Sequence, residues 1–253
     1  MKHLLKLEGM PRQAMEEILA SAKAIKARRG VGETKPLDGQ TWAMIFTKSS
    51  TRTRVSFEVG IRELGGSVMF LNANDMQLGR GELIKDTARV LGRMVHGAVI
   101  RTYAQSDVEE FAQYSGIPII NALTDDEHPC QILTDIFTFQ ERRGPIQGKV
   151  VTFVGDGACN VPVSWVHAAA ALSFELRIAA PSEFQPSAET LAKAGGNVAC
   201  TEDIRAAVKG ADMVYTDVWV SMGMEAKAEE RLAKLAGYQI NGELMRLTKP
   251  DAL

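Results

Sequence analysis

The amino-acid sequence predicts an α/β protein of two domains, each a largely parallel sheet flanked by helices. Three observations carry this. Short apolar runs alternate with longer amphipathic stretches along the chain, the pattern of strand–helix units. A turn-rich segment, Arg142-Arg143-Gly144-Pro145-Ile146-Gln147-Gly148, follows a long helical stretch and precedes a new strong strand. The 253 residues, 45% hydrophobic and 24% charged, suffice for one large domain or two of roughly 100–150 residues.

Pro11 is a favoured first-turn residue, and Met15, Ile18, Leu19, Ala22 and Ile25 follow at helical spacing until Gly30 stops the helix. The predicted strands are 41–46, 68–71, 98–101, 117–121, 150–154, 176–180, 198–200 and 213–216. Helices are expected between most of them, at 82–94, 108–114, 131–142 and 225–235 among others. The domains are read as 1–143 and 144–253, with no repeat or long linker. Residues 248–253 read as a loop leading into a strand the chain does not include, so the second domain is expected to be incomplete at its C-terminus.

Composition excludes several classes. The 29 basic and 31 acidic residues give a net charge of −2, no footprint for nucleic acid or an anionic membrane. No stretch approaches the ~18 apolar residues of a membrane helix. The start, MKHLLKLEGM, is too short in apolar residues for a signal peptide. Cys130, Cys159 and Cys200 lack CxxC spacing and are odd in number, which argues against a disulfide framework or zinc ribbon. A reducing cytoplasm is the expected location.

Chemistry concentrates in a few segments. Thr47-Lys48-Ser49-Ser50-Thr51-Arg52-Thr53-Arg54 lies between a strand and a helix starting near Arg52, with three cations and five hydroxyls in eight residues. A helix N-terminus offers free backbone N–H groups and a positive dipole end, so Arg52 and Arg54 are unfavourable there without an anion. Helix-end donors, hydroxyls and a guanidinium fork together suit a phosphate. His128-Pro129-Cys130-Gln131 follows a strand end and an acidic turn, where ligands bind in α/β sheets. Taken alone, His128 reads as a surface histidine ahead of a helix-starting proline. Arg101, closing an apolar strand, divides evenly between a solvated terminus and a ligand group. Gly155-Asp156-Gly157-Ala158-Cys159-Asn160 has the strand–turn–helix context of a dinucleotide loop but lacks the third glycine, and no acid follows at the end of the next strand. Asn160 there reads better as a polar contact to an amino acid.

Together, STRTR at 50–54, an arginine ending the third strand and HPxQ at 128–131 resemble the carbamoyltransferase signature. The match extends to GRGELIKDTARVLGRM at 79–94 and DVWVSMG at 217–223, the latter similar to the ornithine-type rather than the aspartate-type motif. The sequence is identified as a member of the aspartate/ornithine carbamoyltransferase family. The resemblance implies that Ser50, Thr51, Arg52 and Thr53 hold the phosphate of carbamoyl phosphate. Arg101, His128 and Gln131 would surround its carbamoyl group, and Gln77 would reach a neighbouring subunit's site in a homotrimer. Asn160, Asp217, Ser221 and Met222 would fix the α-amino and α-carboxylate groups of L-ornithine. Cys159 departs from the two adjacent asparagines common in this loop. Arg101, His128 and Thr53 would stabilise the oxyanion as the δ-amine attacks. Carbamoyl phosphate is an activated mixed anhydride, so the chemistry asks for no metal, cofactor or covalent protein intermediate. Family chains continue beyond the equivalent of Leu253 into an HCLP segment that touches ornithine's side-chain end. The competing readings are a carbamoyltransferase for N-acetylornithine, putrescine or aspartate, and a non-catalytic carbamoyl-phosphate-binding module.

Overall fold

A computed structural model describes residues 3–31, 35–72, 76, 81–220 and 225–253. The chain divides into two units, Met1–Leu7 with Gln13–Leu133, and Glu8–Arg12 with Thr134–Leu253.

The first unit begins with α1 (Arg12–Ala27), then β1 (Thr41–Phe46), α2 (Thr51–Glu63), β2 (Ser67–Asn72), α3 (Ile84–Leu91), β3 (Gly97–Arg101), α4 (Gln105–Ser115) and β4 (Ile119–Leu123). Its four strands are parallel in the order β2-β1-β3-β4. The run TWAMIF of β1 is apolar almost throughout because both sheet faces are covered. Ala43 and Ile45 pack with Ala88, Val108 and Phe111 from α3 and α4, while Trp42, Met44 and Phe46 pack with Ile61 of α2. Strand β4 starts two residues later than the periodicity predicts. Pro118 has no N–H to give to a ladder, and its carbonyl instead accepts from Ala98 N at 2.9 Å. Helix α3 ends at Leu91, earlier than predicted, because the chain turns at Gly92 where α4 closes in. A Cβ on Gly92 would stand 1.8 Å from the Ser115 carbonyl oxygen.

Helix α5 (Pro129–Arg143) runs continuously through the division, which falls ahead of the turn-rich segment around Gly144–Gly148. The second unit continues with β5 (Val150–Val154), α6 (Asn160–Leu172), β6 (Glu175–Ala179), α7 (Ala188–Ala192), β7 (Val198–Thr201), α8 (Ile204–Val208) and β8 (Met213–Tyr215). A 3-10 turn, Glu225–Lys227, opens α9 (Ala228–Leu235), and α10 (Gly242–Met245) follows. The parallel order is β7-β6-β5-β8. Trp165 of α6 anchors this core, edge-on to Phe174 and Tyr215 at 5.8 and 5.5 Å. Leu253 pairs its backbone beside β8, receiving from Val214 N and donating to Asp212 O.

Both sheets reverse direction once. The chain leaves β1 for β2 on one side and returns with β3 on the other, and it leaves β5 for β6 and returns with β8. Crevices at the carboxyl ends of such strand pairs are where open α/β sheets bind ligands. Among the described residues no helix is long and apolar enough to cross a membrane.

Candidate functional site

The β1/β3 reversal brings residues 47–54 and Arg101 to one crevice. Thr47 N donates to Arg101 O at 2.9 Å, which fixes the loop to the end of β3. Ser50 is the extended N-cap of α2: its Oγ accepts from Thr53 N at 3.2 Å and donates to Thr53 Oγ1 at 2.8 Å. Arg101 Nη1 reaches the same Thr53 Oγ1 at 3.5 Å. The β3–β4 register slips between Ile100 and Arg101, so that Ile100 faces Asn121 and Arg101 faces Leu123. Such an irregularity re-aims the side chain at the sheet rim.

Arg101 is buried, 5% exposed, and its Nε has no hydrogen-bond partner among the described residues. Burial, and then the charge of Arg52, pull its pKa below the usual arginine value. A buried guanidinium beside a second cation is costly unless an anion joins them. Arg52 itself is exposed in the first turn of α2 and has no ion-pair partner among the described residues.

Of the three cations in the 47–54 segment, two are engaged by the protein itself. Lys48 is buried and turned to Asp125, its Nζ 4.2 Å from the centre of the Tyr103 ring. Arg54 stacks on Phe70 at 3.6 Å, with Glu58 at 3.8 Å. Both serve packing, which leaves Arg52 and Arg101.

His128 and Gln131 flank the start of α5, both half-buried. Burial, then the Arg101 charge, push the His128 pKa down to about 4. The ring is therefore neutral near pH 7 and holds one N–H to donate. Between them the Cys130 thiol is pushed up to about 12 by burial and donates to Asn121 O, which makes it unreactive. Sequence reasoning missed the support beneath this turn. Asn121 Nδ2 donates to Leu5 O at 2.8 Å, Thr124 Oγ1 donates to Gln105 Oε1 at 2.7 Å, and Glu127 Oε2 accepts from Leu7 N at 2.6 Å. The available signal was an asparagine inside the apolar run IPIINAL.

The His128 ring carries a stability consequence. Its folded pKa lies below the unfolded ~6.5, so the unfolded chain binds the extra proton between those values. Stability is expected to rise with pH from about 4 to 6.5, by about 3 kcal/mol from this residue. Denaturant titrations across that range check it: His128→Gln should remove this share of the slope, and an unchanged slope would refute it.

In the second unit, the β5/β8 reversal brings residues 155–160 and 216–220 together. Thr216 Oγ1 donates to Val154 O at 2.7 Å, which lays the segment after β8 across the end of β5. Asp156 Oδ1 accepts from Ala158 N at 3.1 Å and shapes the turn into α6. Gly157 is required there, since a Cβ would come within 2.5 Å of Ile178 Cγ2 and 3.0 Å of Phe184 O. Asn160 opens α6 and is half-buried, as is Asp217. Cys159 feels both carboxylates: burial, then Asp156 and Asp217, push its thiol up and keep it neutral. Ser221, Met222 and Gln77 lie outside the described residues.

Fold and site define a class: a two-unit parallel α/β protein whose first unit gathers two arginines, a neutral histidine and a helix N-terminus at its sheet reversal. The family model of the aspartate/ornithine carbamoyltransferase carbamoyl-P binding domain matches residues 2–141, and that of the Asp/Orn binding domain matches residues 147–253. The chain belongs to the aspartate/ornithine carbamoyltransferase family, on its ornithine carbamoyltransferase side. It is 54% identical to the ornithine carbamoyltransferase of Akkermansia muciniphila, over 97% of this chain and 81% of that protein. For the Nitrosococcus oceani ornithine carbamoyltransferase the values are 49%, 99% and 83%. The ornithine carbamoyltransferase structure from Pyrococcus furiosus superposes with a TM-score of 0.92 at 43% identity, covering all of this chain and 83% of that one. The anabolic enzyme from Campylobacter jejuni gives 0.92 at 39% identity, covering all of this chain and 84% of that one.

Proposed function

We propose that this chain transfers the carbamoyl group of carbamoyl phosphate to the δ-amine of L-ornithine, forming citrulline and phosphate. The observation that carries the reading is Arg52, Thr53, Arg101 and His128 gathered at one sheet reversal, with a buried guanidinium that has no anion partner among the described residues. Ser50, Thr51, Arg52, Thr53 and the α2 N-terminus bind the phosphate oxygens. Arg101, His128 and Thr53 direct donors at the carbamoyl oxygen, and Gln131 binds the carbamoyl group. Asn160, Asp217, Ser221 and Met222 take the amino-acid end of ornithine. Residues 1–143 thus serve carbamoyl phosphate and 144–253 serve ornithine.

The neutral amine attacks the carbamoyl carbon, the bond to the phosphate oxygen breaks, and the proton shed by the amine nitrogen ends on the departing phosphate, which leaves as hydrogenphosphate. Charge grows first on the carbamoyl oxygen, facing neutral His128 and cationic Arg101, and then on the leaving phosphate, facing Arg52. Donors fixed before the reaction stabilise those charges more than the planar ground state. The chain works as a homotrimer, with Gln77 contributed to a neighbouring site. The exposed Val55 and Val59 on α2 and Met69 on β2, the strand against which α2 packs, support an apolar contact there. Three thiols without a disulfide fit a reducing cytoplasm.

Citrulline formation from ornithine, measured beside N-acetylornithine, putrescine and aspartate, tests the reading, and preference for another amine overturns it. The rate should climb with pH from neutral into the alkaline range, because the nucleophile must lose a proton. A flat profile with chemistry limiting contradicts the mechanism. Sedimentation at working concentration checks the trimer.

A further inference from the structure

We propose that Arg231 is a positioning residue for the amino-acid substrate, locking together the two segments of the second unit that receive it. This rests on the ornithine reading above. Arg231 stands on α9, outside the residues that the family resemblance assigns to a ligand, and its side chain is only 11% exposed. Its guanidinium makes three contacts at once. Nη2 pairs with Asp156 Oδ2 in the 155–160 loop, and Nε donates to Trp219 O in the 216–220 segment at 2.8 Å. The guanidinium also lies over the Phe184 ring, 4.9 Å from its centre. One planar group therefore ties the loop after β5 to the segment after β8, across the crevice where the sheet reverses.

Each end of this tie leads directly to a proposed ligand group. Asp156, 5% exposed, uses its other oxygen to hold Ala158 N, and that turn delivers Asn160 at the start of α6. Trp219 O is two residues beyond Asp217. The Trp219 indole also lies against Gly155, with its Cδ1 and Nε1 3.6 Å from where a Cβ would stand. Thr216 Oγ1 fixes only the near end of the segment. The Arg231 charge further neutralises buried Asp156. A lysine has the charge but not the fork: it reaches Asp156 or Trp219 O, not both while stacked on Phe184.

The test uses the full chain and its R231M and R231K variants. The probe is L-norvaline, which has ornithine's α-amino and α-carboxylate groups without the δ-amine. Of the three tryptophans, Trp42 and Trp165 are buried and Trp219 is half-buried, so its emission reports binding at this crevice. With carbamoyl phosphate present, R231M is expected to weaken L-norvaline binding and raise the ornithine KM by 10- to 100-fold. Its kcat should stay within threefold and its carbamoyl phosphate Kd within twofold of the parent. R231K should fall between the parent and R231M. L-norvaline affinity within twofold of the parent in folded R231M overturns the proposal. If R231M does not fold, the same result in R231K overturns it. An equal loss for carbamoyl phosphate and L-norvaline also overturns it, by showing a general structural role. A parent chain that binds carbamoyl phosphate but neither binds L-norvaline nor forms citrulline refutes the ornithine reading itself, a result distinct from unaffected variants of a competent parent.

Discussion

Arg52→Ala is expected to weaken carbamoyl phosphate binding by on the order of 10² to 10⁴-fold while leaving the fold intact. Arg52 is exposed in the first turn of α2 and touches no core, so its removal opens no cavity. What is lost is a guanidinium fork on a doubly charged phosphate. Each charge-assisted contact contributes about 1.5–3 kcal/mol, and each 1.4 kcal/mol is roughly tenfold in affinity. Removing a cation from a helix N-terminus should, if anything, stabilise the empty protein slightly. Isothermal calorimetry and a thermal melt check both halves of the expectation. Unchanged affinity in a folded variant would remove the loop from the site.

Arg101→Met should separate stability from function more sharply still. Turnover is expected to fall by about 10²- to 10³-fold, the usual cost of losing a donor aimed at a developing oxyanion. The ligand-free melting temperature is expected to hold or rise. The guanidinium is buried, its Nε has no partner among the described residues, and Arg52 repels it. A methionine of similar volume relieves that burden while filling the space. A melt measured without ligand beside steady-state kinetics decides the matter. If the variant melts several degrees lower, the guanidinium serves the fold, and the reading of a site strained until an anion arrives is wrong.

Much of the architecture was legible in the chain because strands and helices announce themselves locally. The apolar runs at β1 and β5 coincide with the strands found, and Arg142–Gly148 follows the helix it was expected to follow. The loop at 47–54 stood out as a candidate anion site for a physical reason: two arginines at a helix start oppose the helix dipole. Where local reasoning slipped, a specific group intervened. Pro118 delayed β4, and Gly92 ended α3 where α4 closes in.

By itself, then, the sequence determined the family, the succession of strands and helices, and the positions of the residues proposed to bind substrate. These follow from short-range periodicity and from side-chain chemistry at each position. Only the tertiary structure decided that β1 neighbours β3 and β5 neighbours β8, and hence which loops share a crevice. It also decided which cations are spent on the protein itself. Lys48 goes to Asp125, Arg54 to Phe70 and Arg231 to Asp156, while Arg52 and Arg101 are left facing each other's charge. Except for Arg54 and Phe70, these pairings join residues dozens of positions apart, and no periodicity reports them. Strand order and ion pairing are set by the whole of each unit's packing, because a strand's neighbour and a cation's partner are chosen by what else must be buried.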